Sequence, residues 1–424
     1  MKVKIFILAL LLATVNVSVA QNILIPAGKD GKTGYVDVNG KWVINPQFEN
    51  AECFSEDGFA RIRQNGKTGL IDKTGKIVVE PQFFDIHKFD KCFDEDGLAM
   101  FTVDTKPETQ KSDDWLNYQE AVNINYDDND DNDDYLDGFI DKNGKIVIEA
   151  KYPFSCGFEN GLACVKLDGK YGFIDKTGKM VIENKFEDAS SFADNGLAPA
   201  KQNGKYGFID KSGKFVIEPQ FEAADMFQKC GLAGIKQNGK WGSIDETGKI
   251  VIEPKYENWF VFDDNGLADV KLDGKWGFID KTGKMVIENK YDMVIPFEKH
   301  ELSLVKVGDK FGFIDKSGKM VIEPQYDVSV ICHNDWSIIT DSDKEGLLSA
   351  DGQVLLKCQY DMLYIVPFSD VCLTSTKNKN GTSTLGIFYN GKHTVVKNVD
   401  WIGIFAFDSF KIPARYRKYM RDGH

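Results

Sequence analysis

Residues Gly274–Asp292 read G-K-W-G-F-I-D-K-T-G-K-M-V-I-E-N-K-Y-D, and the phrase recurs along the chain. Its central glycine returns as Gly34, Gly69, Gly138, Gly172, Gly207, Gly242, Gly277 and Gly312, with fainter echoes at Gly346 and Gly386. Most steps are 34 or 35 residues, and the single step of 69 marks an insertion. A fixed period in this range signals a repeat architecture, in which units stack because none buries its own apolar face.

Within one copy, Leu267–Leu272 alternates as a strand does. Asp273-Gly274 is then a two-residue hairpin signal, because both residue types tolerate positive φ. Trp276–Asp280 reads as the second strand, Lys281-Thr282-Gly283 as a turn and Met285–Glu288 as the third strand. Asn289, or Pro219, Pro254 and Pro324 in other copies, is expected to stop the pairing, since proline lacks a ladder donor. The return of about ten residues carries aromatics such as Tyr291, Phe192, Phe227 and Phe262. Helical periodicity is absent. The expected fold is all-β, an array of about ten three-stranded meanders of ~35 residues.

Ten units exceed the roughly four to eight blades of an ordinary propeller. The first copy lacks the aromatic (Thr33), and the copies at Gly346 and Gly386 have lost most of the motif, as terminal caps do. An open superhelical solenoid is therefore the expectation, with a propeller-like closed ring as the alternative. The glycine after the aromatic lies inside a strand, where it weakens the sheet unless something approaches closely. The expected visitor is the next repeat's aromatic ring, so Gly277→Val should cost more than Gly283→Ala.

Residues 1–20 have the pattern of a secretory signal: Lys2 and Lys4, an apolar run Ile5–Ala13, and the small-residue site Ser18-Val19-Ala20. The apolar run is short for a bilayer span, and no later segment is apolar enough for one. Export to the periplasm or the medium is the expectation. Residues 21–103 then hold an N-terminal cap and two repeats, 104–137 an acidic insertion expected to be disordered, and 138–330 the regular repeats. Degenerate repeats follow over 331–395, and a cap with a basic tail over 396–424. The formal charge of -13 is concentrated in the insertion, and no basic face offers phosphate neutralisation, which argues against nucleic acid.

The chain has 8 cysteines at scattered phases of the repeat, which argues against a disulfide framework. Adjacent-repeat pairs such as Cys53 with Cys92 stay open, because a bond needs Cα atoms within about 7 Å. The aspartates Asp175, Asp210, Asp245, Asp280 and Asp315 each precede a tight turn, where the side chain accepts backbone N–H groups. Glutamates Glu183, Glu218, Glu253, Glu288 and Glu323 are candidates for cross-strand pairs with Lys179, Lys214 or Lys284.

The row Tyr171, Tyr206, Trp241, Trp276 and Phe311 has the look of a sugar-stacking ladder. Strand aromatics at one-repeat spacing chiefly build core, and any exposed subset is the ligand-binding candidate. The insertion's run of Asp127, Asp128, Asp130, Asp131, Asp133 and Asp134 offers carboxylates to calcium. It lacks the spacing and the downstream glutamate of a calcium-binding hand, so a solvated loop is the simpler reading. His87, His300, His333, His393 and His424 have no partners at metal or triad spacing, and no hydrolase, zincin or phosphate-loop motif occurs.

These phrases resemble the WG-repeat family, named for the pair seen at Trp241-Gly242 and Trp276-Gly277, with Tyr171, Tyr206 and Phe311 as aromatic substitutes. The resemblance covers residues 31–330 well and extends weakly to about 395. It implies an all-β module of exported and envelope-associated bacterial proteins, with no defined ligand and no catalytic residues. The aromatic is missing at Thr33, Thr68, Asp137, Glu345 and Leu385. The expected function is a non-enzymatic exported scaffold that needs no cofactor and binds a protein or envelope polysaccharide through an extended β surface. A hydrolytic, carbohydrate-active enzyme with an unrecognised acidic site and a structural spacer are the alternatives.

Overall fold

The computed structural model describes residues 23–87, 91–106, 134–297, 301–331, 336–349, 351–366, 369–380, 382–397 and 401–402. The quoted copy folds as its alternation demands, into antiparallel strands Leu267–Leu272, Lys275–Asp280 and Met285–Tyr291. Asp273 (φ 51°) and Gly274 (φ 76°) make the first turn. In the second, Asp280 Oδ1 accepts the N–H groups of Thr282 at 2.9 Å and Lys284 at 3.1 Å. Asp175, Asp210, Asp245 and Asp315 do the same in their own turns.

The return segment contributes more than a connection. In the fifth unit it supplies a short inner strand, Asp188–Ala189, ahead of Ala198–Gln202, Lys205–Ile209 and the outer strand Phe215–Phe221. Among the described residues there are ten such sheets, nine of four strands and one of three. We call them blades 1 to 10 in chain order.

The array closes on itself. Trp401–Ile402 pairs with Ile25–Lys29, placing Ala27 opposite Ile402 and Gly28 opposite Trp401, so the innermost strand of blade 1 comes from the far end of the chain. One apolar cluster joins Ile25, Ala27 and Val36 of blade 1 to Val371, Leu373, Leu385 and Ile387 of blade 10. The protein is thus a ten-bladed propeller, and the open solenoid expected from the degenerate termini is not what forms. Those termini lost the Trp-Gly motif but kept alternating apolar residues, which is what sheet-on-sheet closure requires. Leu385, at a missing-aromatic position, is buried in that seam.

Neighbouring blades interlock through aromatic pairs. The strand next to the outer one in each blade meets the end of the next blade's inner strand or the loop behind it, as in Phe173–Phe192, Phe208–Phe227 and Phe278–Phe297, with ring centroids 4.8, 4.9 and 5.0 Å apart. The motif glycine has a different role from the one expected. A Cβ on Gly277 would stand 2.5 Å from Ile287 O and 2.7 Å from Asn289 N, within its own blade. The register jumps there from Trp276↔Tyr291 to Phe278↔Ile287, a β-bulge that presses the outer strand against bare backbone. The outer strand also runs through Asn289 and its proline counterparts instead of stopping. The bulge leaves the proline nitrogen outside the ladder, and Asn289 Nδ2 instead donates to Leu272 O at 2.9 Å.

Candidate functional site

Inner strands and their loops converge on the axis. The loop consensus F-x-D-N-G-L-A, as in Phe192–Ala198, is pinned by its buried phenylalanine and closed by a glycine at positive φ, Gly196 here. Loops of blades 2 to 6 thereby surround one cavity of about 750 Å³. Its wall carries Asp94, Asp96, Glu159 and Asp194 beside Lys91, Lys176 and Lys229, over a floor of phenylalanines that includes Phe158 and Phe192. Turns of one blade latch the loop of the preceding blade. Lys176 bonds Asp96, Lys211 Nζ donates to Asn160 O at 2.8 Å, and Asn195 Nδ2 donates to Glu246 Oε1 at 3.2 Å. Burial pushes the carboxyl groups of Asp94 and Glu159 above their ordinary range, and for Glu159 the Asp194 charge adds to it.

On the side of blades 2 and 3, polar residues replace the repeat's apolar ones. Asp137 stands where other blades have the aromatic, and Thr102 Oγ1 donates to its Oδ1 at 2.7 Å. That uses the hydroxyl's only proton, so His87 Nε2–H donates to Thr102 Oγ1, also at 2.7 Å. His87 borders the cavity. Deeper in, Arg61 bonds Glu52 Oε1 at 2.7 Å and Asp85 Oδ1 at 3.0 Å. Burial disfavours that guanidinium charge, but the two acids hold it protonated more firmly than usual.

Burial likewise disfavours the His87 cation, and attraction by the Asp137 carboxylate, 3.7 Å from Nε2, outweighs this and raises its pKa. A raised histidine contributes stability below the unfolded value of about 6.5 that is lost as pH rises through the folded value. The urea midpoint should therefore fall as pH goes from about 6 to about 8. Asp137→Asn should abolish or reverse that slope; an unchanged slope would show that His87 does not titrate there.

Blade 7 departs from the other blades. It is the three-stranded sheet, because Asn258 takes over the inner-strand bonds, with Nδ2 donating to Asp269 O and Oδ1 accepting Lys271 N–H. The next residue, Trp259, lies over Gly234 of blade 6, whose absent Cβ would be 3.3 Å from the indole nitrogen. Trp259 Nε1 donates to Asp225 Oδ2 at 3.0 Å, yet the side chain is 40% exposed. Asp225 adjoins Met226, which lines the cavity. Burial raises the pKa of Asp225.

The aromatic ladder lies elsewhere. Tyr171, Trp276 and Phe311 are buried, and Tyr206 and Trp241 are half-buried. Each sits on the strand next to its blade's outer one, under the lysine opposite it, with the ammonium 5.4–6.0 Å from the ring centroid, as for Lys201 over Tyr206 and Lys271 over Trp276. The five rings do not form one exposed row. Asp127, Asp128, Asp130, Asp131 and Asp133 lie outside the described residues. Asp134 is described, and it bonds Lys106 at 3.4 Å where the insertion leaves the blade 3 hairpin.

The glutamate–lysine pairs expected across strands give way to others. Lys275–Asp292, Lys310–Asp327 and Lys344–Asp361 link the strand next to the outer one to the residue just beyond the outer one. Cys53 and Cys92 are not bonded to each other. Cys53 Sγ faces Tyr364 OH at 3.9 Å, and Cys92 Sγ faces Ser55 Oγ at 3.4 Å. No helix among the described residues is long and apolar enough to cross a membrane.

Sequence reasoning missed the cavity wall and Trp259. The departure at Asp137 was a visible signal for the first, and a tryptophan in a return segment for the second.

Several solved structures match the chain at low similarity. A crystal structure described as the eukaryotic initiation factor is 10% identical over 90% of this chain and 98% of that one, with a TM-score of 0.48. Apo AztD from Citrobacter koseri is 11% identical, covering 77% and 91%, at 0.31. Kluyveromyces lactis Hsv2p is 10% identical, covering 55% and 95%, at 0.31. These likenesses carry nothing about function. No curated protein matches the chain. The family model for the WG containing repeat matches residues 34–67, 69–106 and, in six consecutive copies, 138–328, which is more than half of the sequence. The chain belongs to the WG containing repeat family.

Proposed function

We propose that this protein is an exported, non-enzymatic scaffold that binds a cell-envelope polysaccharide at the axial face of its ring. The reading is carried by the Trp259 platform. A large indole left 40% exposed, fixed by its bond to Asp225, suits the flat apolar face of a sugar ring, and the carboxylate can accept a hydroxyl. The polar wall of the cavity, which Met226 lines next in sequence to Asp225, supplies further hydrogen-bonding groups, and loops from several blades give many weak contacts at once. The secretory pattern of residues 1–20 would bring the chain to such a polymer.

Retention on purified peptidoglycan sacculi, measured by co-sedimentation, tests this. Trp259→Ala should weaken retention about tenfold, the effect of losing one binding hot spot, with an unchanged melting curve. Equal retention of the variant would refute the site. Failure on sacculi together with Trp259-dependent capture of an envelope protein would favour a protein partner instead.

The hydrolytic alternative keeps one supporting observation, the His87–Thr102–Asp137 chain at the cavity wall. It requires that His87→Gln abolish release of soluble fragments from the same sacculi.

A further inference from the structure

We propose that Cys156 and Cys164 form an oxidative modification site, a dithiol that closes to a disulfide across the inner and second strands of blade 4. The pairs Phe154↔Lys166 and Ser155↔Val165 put Cys156 directly opposite Cys164, and Cys156 N–H donates to Cys164 O at 2.9 Å. Facing residues in such a hydrogen-bonded pair have Cα atoms about 5.5 Å apart, inside the ~4.4–6.8 Å window of a disulfide. Their side chains leave the sheet on the same face, and both thiols belong to the core shared with Ala189 and Phe192 of blade 5.

The pair's chemistry is asymmetric. Cys164 is fully buried, and its thiol is pushed up by its bond to Cys156 and by burial. Cys156 is half-exposed, and bonds from Cys164 and Ser191 draw its thiol down against the effect of burial. Cys156 is therefore the attacking group and Cys164 the resolving one. Cys164 Sγ also donates to Ala189 O at 3.5 Å, and the other described cysteines face non-cysteine partners, as Cys53 and Cys92 do. The loop that would be stapled, Gly157–Gly161, turns through Asn160 (φ 53°) and Gly161 (φ 86°) and presents Phe158, Glu159 and Asn160 to the axial cavity.

With a low-molecular-weight disulfide as oxidant, the Cys156 thiolate attacks one sulfur and expels one thiol, leaving a mixed disulfide. The Cys164 thiolate then attacks Cys156 Sγ and expels the second. The chain loses two protons and two electrons, and the oxidant is reduced to two thiols. An oxidising compartment favours this product. The inference is independent of any polysaccharide ligand.

The full folded chain, fully reduced, is incubated with glutathione disulfide, quenched in acid, denatured, alkylated and digested with trypsin. Both cysteines fall in one peptide, Tyr152–Lys166. It should appear unalkylated and lighter by two hydrogens, while the other cysteines alkylate. Cys156→Ser should alkylate at Cys164 after the same treatment, and Cys164→Ala should stall as a glutathione adduct on Cys156. Alkylation of both cysteines in the treated wild-type chain, or a stable adduct on Cys156 beside a free Cys164, would overturn the proposal. The wild-type digest is decisive even if a variant does not fold.

Discussion

Gly277→Val is expected to destabilise the ring by about 3 kcal/mol or more, the scale of severe overpacking, whereas Gly274→Ala two residues from the same tryptophan should cost about 1 kcal/mol. Any Cβ at Gly277 lands 2.5 Å from the Ile287 carbonyl oxygen, and backbone cannot swing aside as a side chain can. Gly274 has a positive φ of 76° but nothing within 4 Å, so alanine there meets only conformational strain. Gly283→Ala should fall between them, with φ 79° and Ile252 Cγ1 of the preceding blade at 3.3 Å. Urea denaturation followed by tryptophan fluorescence ranks the three. If Gly274→Ala proved as damaging as Gly277→Val, the bulge would not be the reason for the motif glycine.

Ile387→Ala should cost about 2–5 kcal/mol, the range for large-to-small changes in a packed core, and about as much as Ile279→Ala in the blade 7 interior. Both isoleucines have no exposed surface. Ile279 is covered by an ordinary blade neighbour, while Ile387 is covered by blade 1 across the closure. In an open array Ile387 would lie in the terminal unit with one side to solvent, and its truncation would be mild. Matching shifts of the two urea midpoints would support closure, and a small shift for Ile387→Ala alone would speak against it.

Much of the blade was legible in the sequence because its causes are local. Asp273-Gly274 and Asp280 dictate their turns through φ preference and side-chain capping, and alternation around Trp276 sets the strands. The inner strand was not legible. Asp188–Ala189 is two residues long and shows no period, and it exists because Ala198–Gln202 offers a free edge. Closure was hidden for a related reason. The residues that seal it, such as Val36, Leu373 and Ile387, show only generic alternation, and their pairing spans nearly the whole chain. Counting repeats and comparing them with familiar propellers pointed the wrong way.

The candidate site was half visible. Asp137 breaks the aromatic column, but only the fold brings His87 and Thr102 to it. Trp259 stands out in the sequence only as a tryptophan in a return segment, and its exposure follows from the blade 7 inner strand giving way beside the bare Gly234. The ladder of Tyr171 to Phe311 was the more obvious pattern, yet its members point into blades, beneath lysines.

Photo-cross-linking from position 402 tests ring closure most directly, with Ile402 replaced by p-benzoylphenylalanine in the otherwise unaltered chain. The ring predicts an intramolecular link, on a monomer, mapping to the Ile25–Lys29 strand that holds its register partner Ala27. Links confined to blade 10, or links only between two molecules, would contradict it.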